Sequence, residues 1–124
     1  MTTEEVAKKL VELCQKGDSK TAIDTLYAQN IVSVEPRPMG DMPAEANGLD
    51  AVREKSKWWM ENHEVHSMEV NGPFVARDTF VVRFGIDVTH KPSGKRMQGG
   101  EVGIYTVKDG KVTREEFLPL ICDK

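Results

Sequence analysis

The first part of the chain carries apolar residues at helical spacing, which predicts a hairpin of two helices. In residues 3–16, Glu4 and Glu5 fall in the first turn, where the helix dipole favours negative charge. Gly17 can end this helix in a left-handed conformation, and Asp18 can cap the second one. The predicted apolar faces, spaced by three or four residues, consist of Val6, Leu10, Leu13 and Cys14, and then of Ala22, Ile23, Leu26 and Tyr27.

A third helix is predicted over residues 48–62, again from helical periodicity. Its apolar side carries Leu49, Val52, Ser56, Trp59, Met60 and His63. We expect Trp59 to pack in the core. Trp58 falls off this stripe, so it either packs against the edge of the sheet or lies at an oligomer contact, and packing is favoured because an indole buries a large area.

Strands are predicted where apolar residues alternate or are β-branched. Residues 30–35 form a short strand that Pro36 and Pro38 stop, and residues 36–47 follow as a long loop that is either structural slack or a cover over a substrate. Residues 66–70 alternate until a break at 71–73. A strand from Thr79 has one unbroken apolar face, made of Phe80, Val82, Phe84, Ile86 and Val88.

The last two strands are joined at Asp109-Gly110, one of the strongest hairpin signals. The order is therefore helix, helix, strand, helix and then about four antiparallel strands with short turns. This order predicts an α+β fold in which three helices pack on a curved antiparallel sheet. A chain of 124 residues fits a single domain over 1–124.

Charge and cysteine content exclude several classes of protein. The 17 basic and 20 acidic residues are mixed along the chain, which argues against nucleic-acid binding. Cys14 and Cys122 are far apart and form no C-x-x-C pattern, so we predict neither a disulfide nor a zinc site and expect a reduced cytoplasm. The charged N-terminus and the lack of a long apolar run predict neither secretion nor a membrane span.

Three segments carry a family resemblance: residues 27–32 (YAQNIV), 48–52 (GLDAV) and 105–112 (YTVKDGKV). With them the chain resembles the NTF2-like superfamily, in particular the SnoaL-like group that includes ketosteroid isomerase and scytalone dehydratase relatives. The resemblance implies a cone-shaped fold with an internal apolar cavity, and commonly a homodimer through the outer face of the sheet. The superfamily hosts isomerases, dehydratases, cyclases, hydrolases and non-enzymatic binding domains, so it specifies the fold better than the activity.

Glu101 is the leading candidate for chemistry. In SnoaL-type cyclases a carboxylate on this strand is the acid/base, and the resemblance places that position at Gly103, so the family residue is not matched. Glu101 lies two residues earlier, on the same side of the strand as Tyr105. If that side is concave, burial disfavours the charged carboxylate and suits it to acid/base work near neutral pH. Otherwise Glu101 pairs with a buried Arg or is solvated at the sheet edge.

The turn decides which C-terminal residues accompany Glu101. A strict two-residue turn would bring Arg114 and Glu116 onto the face of Tyr105. A three-residue loop with a glycine bulge would bring Thr113, Glu115 and Phe117 there instead. We favour the bulged form, because it puts the aromatic ring on the inner face beside the candidate acid.

Four further residues are candidates for the site. His66 alternates in phase with Met68 and Val70, which we expect to face inward, and it could exchange protons near pH 7. A lone histidine among apolar residues is, however, more often a hydrogen-bonded packing residue. His63-x-x-His66 lacks a third ligand, so no metal is predicted. Tyr27 and Glu35 could both reach the mouth of the cavity. Alternatively, Tyr27 packs at the rim with its hydroxyl hydrogen-bonded, and Glu35 is a surface acid at the end of its strand.

Two function classes follow. The first is a cofactor-independent isomerase, lyase or cyclase acting on an apolar carbonyl compound, with Glu101 as acid/base and His66 assisting. Trp59, Tyr105 and Phe117 would shape its pocket, with Tyr27, Glu35 and His63 as further ligand-binding residues. The alternative is a non-catalytic ligand-binding or dimerisation domain that keeps the fold.

Overall fold

Three helices pack on a six-stranded sheet in the computed structural model, which describes residues 1–120. In chain order the elements are α1 (Thr3–Gln15), α2 (Ser19–Leu26), β1 (Tyr27–Val34), β2 (Glu45–Asn47), α3 (Leu49–Asn62), β3 (His63–Ala76), β4 (Thr79–His90), β5 (Lys95–Lys108) and β6 (Lys111–Pro119). Cys122 lies outside the described residues. No helix among residues 1–120 is long and apolar enough to cross a membrane.

The strand order in the sheet is β2-β1-β6-β5-β4-β3. The predicted α+β architecture is confirmed, but the sheet is mixed and not wholly antiparallel as expected. β1 pairs in parallel with β6, whereas β3, β4, β5 and β6 pair antiparallel in sequence. Tight turns connect β3, β4, β5 and β6, so each of these strands runs antiparallel to the next. β1 and β6 are separated in the chain by β2, α3 and three strands, so no tight turn forces β1 and β6 to run in opposite directions.

The helix boundaries follow local signals in the sequence. Thr2 and Glu5 form a reciprocal capping box at the start of α1, and Gly17, with φ of 73°, ends it. Asp18 accepts from the backbone N–H of Thr21 at 3.1 Å and caps α2. Both helices bury their predicted faces against the sheet. The core includes Val6, Leu10, Leu26, Ile31, Val52, Phe80, Val82, Tyr105 and Val112.

The third helix differs from its predicted stripe. Met60 is 51% exposed and Trp59 is only half-buried, whereas Lys55 is buried together with the expected Leu49 and Val52. The reason is that the C-terminal half of α3 extends beyond the core before the chain enters β3.

Trp58 packs on the loop that follows β1. An added Cβ at Gly40 would lie 3.0 Å from its ring, so the indole sits directly against the glycine backbone. This loop is shorter than predicted, because its last residues form β2 and pair with β1.

The hairpin at Asp109-Gly110 combines the two predicted alternatives. The turn is the strict two-residue form, with positive φ at both residues and Lys108 opposite Lys111. A register shift then follows inside the strands, so that Tyr105 lies opposite Glu115. The predicted placement of Glu115 on the face of Tyr105 is therefore right. The bulge, however, lies between the Val107 and Thr106 positions of the strand pair and not in the turn.

Candidate functional site

Glu101 lies on the face of the sheet that packs against the helices. Its strand position lies opposite Phe84, a core residue of β4, and it shares that face with Tyr105. Tyr105 is 2% exposed and its ring stacks on Phe80 with the centroids 4.7 Å apart. Glu101 itself is half-buried, at the point where the covered core gives way to the more open end of the sheet.

The pKa of Glu101 is raised to about 7, from an ordinary value of 4.5, and burial is the largest cause. The negative charges of Glu35 and, more weakly, Glu115 also act to raise this pKa, whereas the ammonium of Lys55 acts to lower it. A carboxyl group with this pKa exchanges its proton near neutral pH, as a general acid or base must.

A chain of hydrogen bonds runs inward from this point. Lys55 donates from Nζ to Oε2 of Glu35 at 2.9 Å and to Oγ of Ser33. The Ser33 hydroxyl donates to Oε2 of Glu115 at 2.6 Å, and the Tyr27 hydroxyl donates to Oε1 of the same carboxyl. These groups come from β1 and the residue that follows it, Glu35, and from α3 and β6.

Glu115 is the innermost carboxyl, with 3% of its surface exposed. Burial raises its pKa, while the hydrogen bonds from Ser33 and Tyr27 and the charge of Lys55 act in the opposite direction. The same environment raises the pKa of the Tyr27 hydroxyl, first through burial and then through the Glu115 charge. The two hydroxyl donors favour the ionised carboxylate, but burial outweighs them in its effect on the pKa of Glu115.

Gly103 explains why a family-type carboxylate is missing from β5. An added Cβ there would lie 2.8 Å from Cε2 and 2.9 Å from the hydroxyl oxygen of Tyr105. The tyrosine ring thus fills the space that a side chain at 103 would need. Phe117 lies opposite Gly103 on β6, and its ring meets Tyr105 edge-on with centroids 6.2 Å apart.

An aromatic cluster lies at the end of α3, one helical turn beyond Lys55. The His63 ring stacks on Trp59, with centroids 4.5 Å apart, and its Nδ1 lies 2.9 Å from the carbonyl oxygen of Trp59. Since a carbonyl only accepts, Nδ1 carries the proton in this contact and Nε2 is left as an acceptor in the neutral ring. The His90 ring lies 5.2 Å from that of His63.

The structure does not bring His66 to Glu101. A register shift between Val65 and Ser67 turns His66 out of the expected alternation, so it is exposed on the outer face. Its Nε2 lies 2.7 Å from the Thr89 hydroxyl oxygen. The predicted inward orientation of His66 is therefore wrong, and a single bulge is the cause.

The remaining predicted residues divide into two groups. Tyr27, Glu35, Tyr105 and Phe117 lie in or against the polar chain around Lys55, and Trp59 and His63 form the aromatic cluster. Among residues 1–120 no three His, Cys, Asp or Glu side chains are placed to hold a metal ion. A surface groove of about 600 Å³ lies elsewhere, between the turn after α1 and the outer side of α3.

Sequence reasoning missed Ser33 and Lys55, and left Glu115 undecided. A signal for Lys55 was present, because Leu49, Val52 and Lys55 are spaced by three residues and share one helix face. A charged residue on a buried stripe needs a partner. No comparable signal exists for Ser33, a small polar residue common on any strand.

Comparisons with known proteins identify the family and the fold. The model of the SnoaL-like domain family matches residues 1–118. A solved structure from Mesorhizobium loti is similar over 95% of this chain and 99% of its own, with 46% identity and a TM-score of 0.89; it is named a candidate SnoaL-like polyketide cyclase, with the added words carbohydrate phosphatase. A comparison with curated proteins found no match.

More distant structures share the fold. A protein of unknown function with a cystatin-like fold from Xanthomonas campestris is 14% identical over 98% of this chain and 92% of its own, with a TM-score of 0.80. A candidate SnoaL-like polyketide cyclase from Jannaschia is 16% identical over 94% and 84%, with a TM-score of 0.72. The family match covers nearly the whole chain, and the protein belongs to the SnoaL-like family of the NTF2-like fold.

Proposed function

We propose that this protein is a cofactor-independent acid/base catalyst, an isomerase, lyase or cyclase, that acts on an apolar carbonyl compound through Glu101. The observation that carries the proposal is a half-buried carboxyl on the face that packs against the helices, with its pKa near 7. A carboxyl whose pKa is shifted by burial and by specific neighbouring charges is a candidate for a functional site. The position fits a ligand that enters from the open end of the sheet.

The first chemical step is removal of a proton from the carbon next to the carbonyl. The C–H bond breaks, its proton passes to the Glu101 carboxylate, and its electron pair moves into the carbonyl group to give an enolate. Return of the proton at another carbon completes an isomerisation, while loss of a leaving group or attack on a second carbonyl gives a lyase or a cyclase. In each case Glu101 starts as a base, so its ionised form is required.

The surroundings of Glu101 favour an apolar ligand. Beyond Glu101 the same face carries partly exposed apolar side chains, among them Met68, which is 39% exposed, and Met97, which is 40% exposed. Trp59 and His63 add a partly exposed aromatic surface. These groups would form the apolar lining of the ligand site.

The charges around the site disfavour a phosphate ester as substrate. The charges of Glu35 and Glu115 act on Glu101, and the charge of Glu35 also acts on Glu115, with Lys55 as the opposing charge. Three carboxyl groups around one ammonium repel a dianionic phosphoryl group, whereas phosphoryl-transfer sites gather cationic groups. A neutral carbonyl compound meets no such repulsion.

Hydrogen exchange at carbon tests the proposal without knowledge of the final product. Apolar cyclic ketones and enones in D₂O would be followed by proton NMR for loss of the signal next to the carbonyl. We expect the wild type to catalyse this exchange, with a rate that rises with pH through about 7. Glu101→Gln should lower the rate by about 10²–10⁴-fold, the usual contribution of a general base.

A control separates catalysis from binding. Glu64→Gln changes an exposed glutamate of β3 and should leave the exchange rate unchanged. Exchange that survives Glu101→Gln would refute the role of Glu101. Binding of the ketones without any exchange in the wild type would instead support the second candidate, a non-catalytic ligand-binding domain.

We also propose that the outer face of the sheet forms a homodimer. Adjacent positions of β3, β4 and β5 place Phe74, Val81 and Ile104 side by side on this face, and Phe74 is 63% exposed. Leu118 of β6, 41% exposed, extends the patch through its pairing with Val102. A contiguous apolar surface of this kind is a typical protein contact.

A further inference from the structure

Lys55 is the least expected group in the site. Its side chain is 8% exposed, and it leaves α3 on the face that packs against the sheet. A buried ammonium is costly unless it is paired and hydrogen-bonded. A lysine therefore needs a reason to lie here, beyond helix formation.

The hydrogen bonds of Lys55 leave part of its capacity unused. An ammonium group has three N–H donors in a tetrahedral arrangement. Within residues 1–120, Nζ has two acceptors, Oγ of Ser33 and Oε2 of Glu35. The third N–H has no acceptor there. On a remaining side lies the ring of Phe117, whose centroid is 5.5 Å from Nζ.

The direction of the third N–H matters because Lys55 acts on the candidate base, Glu101. Lys55 lies close enough to Glu101 for its charge to act on that carboxyl, and Phe117 lies across the strands from Gly103, two residues from Glu101. The ammonium thus lies over the Phe117 ring, between α3 and the sheet, and its charge acts on the candidate base. A charged donor held in a dry site stabilises a developing anion far more than it would in water.

We propose that Lys55 donates its third N–H to the carbonyl oxygen of the ligand and stabilises the enolate that forms when Glu101 removes the proton. This inference rests on the proposed function. No proton leaves Nζ in the step: the C–H proton goes to Glu101, the electron pair goes to oxygen, and the ammonium accepts the new charge as a hydrogen-bond donor. Lys55 is then a catalytic residue, and Ser33 and Glu35 are positioning residues that fix two of its three N–H groups.

The charge balance of the site is consistent with this role. Before the step the negative charge lies on Glu101, and afterwards it lies on the ligand oxygen beside Lys55. The Glu35 carboxylate stays paired with the ammonium throughout. The charge therefore moves a short distance within one cluster, without any change in the total, so little reorganisation of the surrounding groups is needed.

An anion-binding experiment tests the inference without turnover. The probe is 4-nitrophenol, whose visible absorption distinguishes the phenolate from the phenol and whose oxygen imitates that of an enolate. Nitrobenzene, similar in shape but without that oxygen, is the matched neutral probe. Binding would be measured by titration against the wild type, Lys55→Met and Lys57→Met, the last of which removes an exposed lysine of the same helix.

The expected result is selective. Lys55→Met should weaken binding of 4-nitrophenol by about 10–100-fold and abolish its bound phenolate absorption, while nitrobenzene binding changes by less than about 2-fold, because one charge-assisted hydrogen bond contributes about 1.5–3 kcal/mol. Lys57→Met should behave as the wild type. Equal loss for both probes, or no loss for either, would overturn the inference. So would failure of the wild type to hold 4-nitrophenol as the anion.

Two additional measurements keep the outcome clear. Because removing one partner of a buried ion pair can unfold a protein, the double variant Lys55→Met/Glu35→Gln removes both charges together, and it should show the same selective loss. In the exchange assay, Lys55→Met should lower the rate by about 10²–10³-fold. Exchange that depends on Glu101 but not on Lys55 would refute the role of Lys55 and leave the proposed function standing. Selective phenolate binding that depends on Lys55, without any exchange, would support the anion site and refute the proposed function.

Discussion

Replacement of Glu101 by glutamine should make the protein more stable at neutral pH, by an amount that depends on pH. Glutamine keeps the shape of the side chain but never ionises. In the wild type the pKa is about 7 in the fold, against an ordinary value of 4.5. The folded state therefore binds this proton more tightly than the unfolded chain, and the stability it contributes is complete below about pH 4.5 and is lost as pH rises through about 7.

The magnitude follows from the difference between the two pKa values. One unit of pKa corresponds to about 1.4 kcal/mol, so ionisation of Glu101 costs the fold up to about 3 kcal/mol above pH 7. The free energy of unfolding of Glu101→Gln minus that of the wild type should rise by up to that amount between about pH 4.5 and pH 7.5, and should then be constant.

Urea unfolding at a series of pH values measures this difference. The fluorescence of Trp58 and Trp59, the two tryptophans of the chain, reports the transition. Glu64→Gln serves as the control, and its difference from the wild type should not change across the range because that side chain is exposed. A pH-independent difference for Glu101→Gln would refute the argument that Glu101 is buried and poised near neutrality.

Two further predictions concern β5 and the outer face. Gly103→Ala should destabilise the protein by about 1–3 kcal/mol in urea unfolding, because the new methyl group meets the Tyr105 ring at 2.8 Å, whereas Gly99→Ala has open space and should cost nothing; equal effects would contradict the packing described. The wild type should be a dimer in sedimentation or light scattering, and Phe74→Lys should convert it to a monomer. Val75→Lys, which changes another exposed residue of the same strand, serves as the control and should remain a dimer. A wild-type protein that is already monomeric would disprove the proposed dimer.

The sequence was most informative where the determinants are local. Gly17, Asp18 and the Asp109-Gly110 turn act within a few residues, and each appears where the periodicity required an end. The alternation from Phe80 to Val88 fixed the buried face of β4 in the same way. Such signals are read from the chain because their energies depend on neighbours in sequence.

Predictions failed where one residue of register decided the result. His66 is a single position from an inward-facing alternation, and the bulge between Val65 and Ser67 reverses it. Nothing in residues 66–70 indicates that bulge, because its cause is the pairing with β4. The orientation of Glu115 depended similarly on where the final hairpin shifts its register.

The amino-acid sequence by itself determined that this chain is an α+β domain of the NTF2-like type and that Glu101 shares a face with Tyr105. Only the tertiary structure showed that this face packs against the helices and that Glu35, Lys55 and Glu115, which are distant in sequence, carry charges that act on Glu101. The physical reason is that a pKa and a hydrogen-bond network depend on burial and on distances between elements. Those quantities exist only once β1, α3, β5 and β6 are assembled.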